Sequence, residues 1–118
     1  MSKPLGPYTP VVRAGDFIIV SGQGGLLEGT KVNGGLVAET QQTMKNIEAL
    51  LATMGASMSD VVKTTCFLTD REDYKVFNEH YVAAFGNHRP SRSCVAVAEL
   101  PANFVVEIEA WAYKPAGR

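Results

Sequence analysis

A chain of 118 residues, 46% of them hydrophobic and 19% charged, has the length of one domain and no room for a separate cofactor lobe. Eleven basic residues stand against twelve acidic ones, for a net charge of -1, and Lys and Arg nowhere cluster as they do where a protein tracks phosphates or anionic lipid. Roles on nucleic acid or at a membrane surface are therefore not expected.

Cys66 and Cys94, the two cysteines, are too few for a disulfide framework or a four-thiolate zinc site. The opening MSKPLGPYTP has no apolar core of the kind an export signal carries. The longest apolar run, Phe17–Val20, falls far short of the roughly 18 residues that argue a membrane span. The expectation is a cytoplasmic chain with free thiols, forming one domain over residues 1–118.

In chain order, Val11–Arg13 and Asp16–Ser21 read as two strands joined by a tight turn at Ala14 and Gly15. The glycine-rich stretch Gly22–Gly35 reads as a surface loop. Glu39–Met54 reads as a helix, with Met44, Ile47, Leu50, Leu51 and Met54 recurring at three- and four-residue steps and Gly55 as its stop. Val61–Leu68, rich in Val, Thr and Phe, reads as a strand. Asp70 is placed to cap a second helix, Glu72–Phe85, whose stripe is Tyr74, Phe77, Tyr81, Ala84 and Phe85 and whose end is Gly86. Ser91–Ala98 and Phe104–Lys114 read as two last strands around a hairpin loop, Glu99–Ala102. The order ββαβαββ predicts an α+β fold: one sheet with two helices on one face.

Helices from one chain cover only one face of such a sheet, yet the last strand sets Val105, Trp111 and Tyr113 against Phe104, Val106 and Ile108. A second copy of the chain is the simplest cover for the other face, so a homo-oligomer is expected.

Glu107 and Glu109 share the face of Trp111 and Tyr113, where carboxylates are expensive unless paired or solvated. Arg92 and Cys94 share a face of the preceding strand. If Ala98 pairs with Asn103, Cys94 lies opposite Glu107 and Arg92 opposite Glu109; a slip of one residue puts them on opposite faces. A purely structural Arg–Glu cross-strand pair is the competing reading. His80 and His88 lack metal-ligand spacing, and the glycines after Ser21 lack both a dinucleotide fingerprint and a Walker lysine. Cys94 reads either as a nucleophile or as a small buried hydrophobe, and no adjacent His offers a base.

Gly6-Pro7-Tyr8, Ser21-Gly22-Gln23, Gln42 with Asn46-Ile47, Val62-Lys63-Thr64-Thr65, Asn78 with Tyr81, Pro90-Ser91-Arg92-Ser93-Cys94-Val95, Leu100-Pro101 and Glu107-Ile108-Glu109-Ala110 follow one another along the chain. In these elements the sequence closely resembles the RidA (YjgF) family of reactive enamine/imine deaminases, over roughly residues 5–113. The resemblance implies a chorismate-mutase-like homotrimer with clefts between subunits. It implies hydrolysis of 2-aminoacrylate and related imino acids to 2-keto acids and ammonia, limiting metabolite damage, with no metal or other cofactor. By the same resemblance Arg92 holds the substrate carboxylate, Glu107 activates water, Cys94 lines the catalytic pocket through its backbone, Tyr8 closes over it, and Gly22 and Asn78 wall the cleft. Arg89 departs from the pattern, as does the compressed glycine-rich loop. The alternatives are a non-catalytic regulatory trimer binding small carboxylates, and the family's older label of endoribonuclease or translation inhibitor, which the dispersed charge disfavours.

Overall fold

The computed structural model describes residues 2–117. Strands β1 (Val11–Ala14) and β2 (Phe17–Gln23) are followed by a short ribbon, β3 (Leu26–Leu27) and β4 (Thr30–Lys31), inside the segment expected to be loop. Helix α1 (Gly35–Thr53), strand β5 (Val61–Leu68), helix α2 (Tyr74–Phe85) and strands β6 (Ser91–Ala96) and β7 (Val106–Tyr113) complete the chain. The main sheet has five strands in the order β1-β2-β7-β5-β6. The fold is mixed α+β, with one main sheet and two helices.

Helix α1 begins a turn earlier than its apolar pattern suggests, because Gly34 takes a left-handed conformation (φ 117°) that turns the chain into the helix at Gly35. Met44, Ile47, Leu50 and Leu51 are buried as the periodicity requires. Before α2, Asp70 accepts the Glu72 N–H at 2.9 Å, capping a 3-10 turn, Arg71–Asp73, that leads into the helix. Phe77, Tyr81 and Phe85 are buried, but Ala84 is exposed and so is Tyr74, which lies outside the core.

The two faces of the sheet differ sharply. Ile18, Val20, Cys66, Leu68, Val106, Ile108, Ala110 and Ala112 pack with both helices into one core. On the other face Phe17, Trp111 and Tyr113 remain 38%, 42% and 45% exposed, with Phe17 edge-on to both neighbouring rings (5.9 and 5.3 Å between centroids). Three aromatic rings in edge contact and each more than a third exposed make an apolar patch on this face.

The expected hairpin of the last two strands does not form. β6 runs parallel to β5, with Thr64 beside Arg92 and Cys66 beside Cys94, and β5 runs antiparallel to β7, with Phe67 beside Glu107 and Thr65 beside Glu109. Strand β5, helix α2 and strand β6 thus make a crossover unit, which needs a dozen or more linking residues where a hairpin needs two. Residues Pro101–Asn103 form a 3-10 turn with Ala102 and Asn103 at positive φ, and carry the chain past β5. The pairings of Cys94 with Glu107 and of Arg92 with Glu109 are accordingly wrong: a whole strand lies between them.

Candidate functional site

Arg92 and Cys94 stand on the helix-covered face of β6, which is an edge strand of the sheet. The Arg92 guanidinium donates from Nη1 to Asn78 Oδ1 (2.8 Å) and from Nη2 to the Tyr74 hydroxyl (3.0 Å). It also lies over the Tyr81 ring at 4.8 Å, with the Tyr74 and Phe77 rings at 5.5 and 5.9 Å. Helix α2 supplies all four of these residues. Tyr81 is itself fixed by a 2.6 Å hydrogen bond between its hydroxyl and that of Thr64. Aromatic faces and neutral acceptors hold the cation without neutralising it, and three of its five N–H donors stay open to a planar anion.

The thiols beside Arg92 are not activated. Burial pushes Cys66 up to about 12, and burial raises Cys94 too, although the neighbouring guanidinium partly opposes it. A protonated thiol is a poor nucleophile, so Cys94 is a wall of this site in chemical terms.

Glu107 stands elsewhere, on the opposite face of the sheet, by the alternation of β7 with buried Val106 and Ile108. Its carboxyl is held above the usual carboxylate range, first by burial and second by repulsion from Glu109. Gly22 lies against it: a Cβ there would come 2.6 Å from Glu107 Oε2. The two meet where β2 bulges away from β7, between Val20 and Gln23. Together with Tyr8 they line a cavity of about 460 Å³ under the N-terminal segment. Tyr8 is 43% exposed, and its hydroxyl accepts the Leu5 N–H at 3.2 Å, which folds that segment over the cavity.

Two residues of α1 support this cavity: Asn46, which the sequence offered only as part of a resemblance and without a role, and Glu39, which sequence reasoning missed. Asn46 donates to the carbonyls of Gly24 (3.1 Å) and Leu26 (2.9 Å), pinning the loop after Gly22. Glu39, buried, accepts the Val105 N–H at 2.9 Å and fixes the approach to β7. Gln42 donates to Asn46 Oδ1 at 2.9 Å from one turn earlier, and this Gln42–Asn46 pair is the sequence signal for the polar ridge.

The six residues expected to form the site therefore fall into two groups: Arg92, Cys94 and Asn78 at the β6 edge, and Glu107, Gly22 and Tyr8 at the cavity. The chain sets Arg92 and Glu107 on opposite faces of its sheet. Arg89 belongs to neither group, since it donates to the Gly86 and His88 carbonyls at the end of α2. His88 Nε2 lies 2.6 Å from the Val61 carbonyl, and among the described residues no three His, Cys, Asp or Glu are gathered as metal ligands. No helix of the described residues is long and apolar enough to cross a membrane.

On this α+β sheet an uncompensated guanidinium and a carboxyl held above its usual range are groups able to seat an anion and to move a proton. The family profile described as Endoribonuclease L-PSP matches residues 1–114. A RutC family protein of Pyrococcus horikoshii is 40% identical over 95% of this chain and 90% of its own. The 2-iminobutanoate/2-iminopropanoate deaminase of Escherichia coli is 39% identical over 93% and 89%. Escherichia coli TdcF, solved with bound serine, superimposes with a TM-score of 0.90 at 33% identity, covering 96% of this chain and 92% of its own. The chain belongs to the Endoribonuclease L-PSP family, the group of the YjgF/RidA proteins.

Proposed function

We propose that this protein is a 2-imino acid deaminase of the RidA type, hydrolysing reactive enamine/imine intermediates to 2-keto acids and ammonia. The observation that carries the reading is the Arg92 guanidinium, held by neutral partners on three aromatic rings with donors to spare. That is a seat for a planar carboxylate, which takes two parallel N–H bonds from the fork.

Glu107 supplies the other half of the reaction. As carboxylate it takes a proton from a water attacking C2 of the protonated imine; the new C–O bond gives a carbinolamine. Proton transfer to nitrogen then lets the C–N bond break, releasing ammonia and the 2-keto acid. A base with a raised pKa binds that proton more firmly than an ordinary carboxylate does. A protonated imine is already electrophilic, so the scheme uses no metal or organic cofactor.

The two halves act together when a second copy brings its Arg92 edge to the Glu107 face. The half-exposed Phe17, Trp111 and Tyr113 on that face supply apolar surface for such a contact. We take the assembly to be a homotrimer of chorismate-mutase-like architecture with three inter-subunit clefts, working in the cytoplasm. In this scheme Cys94 contributes backbone and bulk, Asn78 orients Arg92, and Tyr8 closes the cavity. An endoribonuclease reading finds less support, because phosphate recognition asks for clustered Lys and Arg.

The test is to generate 2-aminoacrylate in situ with a serine/threonine dehydratase and follow imine decay with and without the protein. Acceleration of pyruvate and ammonia release is the expected result. Decay at the solvent rate, with the keto acid still bound, points to the non-catalytic carboxylate-binding alternative.

A further inference from the structure

The cavity beside Glu107 is larger than a three- or four-carbon acid needs. Its volume of about 460 Å³ falls in the range of sites for much bigger ligands. Leu5, Tyr8, Leu26, Leu50 and Phe104 make its apolar wall. The wall is also stiff: Phe104 is buried against Gly24, where a Cβ would sit 2.4 Å from its ring, and Asn46 clamps the carbonyls of Gly24 and Leu26.

The polar groups on the wall are turned to the protein's own needs. Asn46 spends its amide on that loop and accepts from Gln42, the Ser21 hydroxyl donates to the Thr9 carbonyl, and Gln23 donates to the Ser21 carbonyl. Lys3 is exposed at the rim, which leaves Glu107 as the acid beside a largely apolar chamber. Such a chamber accepts hydrocarbon next to a reacting centre and offers little to a second polar group.

We propose, resting on the deaminase reading of this site, that the chamber receives the substrate side chain, so that the protein favours 2-imino acids bearing branched aliphatic or aromatic side chains over 2-iminopropanoate. One methylene seated on an apolar wall of this kind is worth about tenfold or more in kcat/KM, and that single increment is the least the larger side chain should gain.

An L-amino acid oxidase with catalase, supplied with alanine, leucine or phenylalanine, generates the three imines in situ, and semicarbazide trapping reads what survives. The leucine-derived imine should exceed the alanine-derived one in kcat/KM by about tenfold or more. Leu26→Trp, which fills the chamber, should narrow that ratio by about fivefold or more. Leu5→Asp, on the exposed segment and outside the core, should narrow it as well. Equal or faster turnover of the alanine-derived imine overturns this inference and leaves the deaminase reading standing. A ratio unmoved by both variants overturns it too. Failure to accelerate the decay of any imine removes instead the reading on which it rests.

Discussion

Replacing Arg92 by alanine isolates the anchoring step of the proposed reaction. The guanidinium gives one N–H to Asn78 at 2.8 Å and one to Tyr74 at 3.0 Å, and three donors remain. A carboxylate taking two of them makes two charge-assisted hydrogen bonds, each worth about 1.5–3 kcal/mol. Losing both, about 3–6 kcal/mol, lowers kcat/KM by about 10²- to 10⁴-fold at 1.4 kcal/mol per factor of ten. The fold should survive, since Tyr74 is 47% exposed and water can replace its lost partner. Arg92→Lys should recover little, because an ammonium has neither the fork nor the flat face that lies 4.8 Å from the Tyr81 ring. The assay is steady-state kinetics on an in situ imine, with product keto acid affinity measured by calorimetry and circular dichroism checked first. Arg89→Ala serves as control and should stay within about threefold, its charge being engaged with carbonyls at the end of α2. An Arg92→Ala protein of near-normal kcat/KM, or a dead Arg89→Ala beside an active Arg92→Ala, would refute the anchoring assignment.

Glu107→Gln should cut kcat by about 10²- to 10⁴-fold as the base is removed, while keto acid binding persists. Because the folded-state pKa of Glu107 is raised, the native protein binds that proton more tightly than the unfolded chain, and this group's contribution to stability falls as pH rises from 4.5 through the raised value. Melting curves across that window should be flatter for Glu107→Gln than for the wild type. Glu109→Gln removes the second cause of the shift, so the acid limb of the kcat profile should move to lower pH. Gly22→Ala places a methyl group 2.6 Å from Glu107 Oε2; the side chain must swing aside, and activity should fall about 10²-fold with little change in melting temperature. Trp111→Glu puts a charge among the rings of the open face and should leave monomers in light scattering while the helical circular dichroism signal remains.

The local part of the fold was legible in the sequence and the long-range part was not. Val61–Leu68 forms its strand with the expected bounds, and β7 alternates between buried Ile108 and outward Glu107 and Glu109 as its apolar pattern demands. Both signals arise within one element. The neighbour of β6 is a different matter: a short connection before β7 suggests a hairpin, and nothing in residues 91–114 reports that β5 takes the place between them. That one error moved Arg92 to the wrong side of the sheet, because a change of partner decides which groups face each other. Tyr74 misled for a related reason. It is spaced correctly for the core stripe of α2, but lies beside the sheet-edge Arg92 and is 47% exposed. Glu39 escaped notice, and Asn46 was named without a role, because a polar residue on a helix reads as solvated until the distant carbonyl or N–H it meets is known.

The division of the site between two faces of one sheet has a genetic consequence. Arg92→Ala keeps a sound Glu107 face and Glu107→Gln keeps a sound Arg92 edge, so in the proposed oligomer the two defects should be recessive to each other. In the proposed ring of three, where each cleft joins one protomer's edge to the next protomer's face, any mixed ring contains one cleft with both groups intact. Two inactive proteins, denatured together and refolded as an equal mixture, should therefore regain about a quarter of wild-type activity. Two alleles, each null alone, should complement in the same cell.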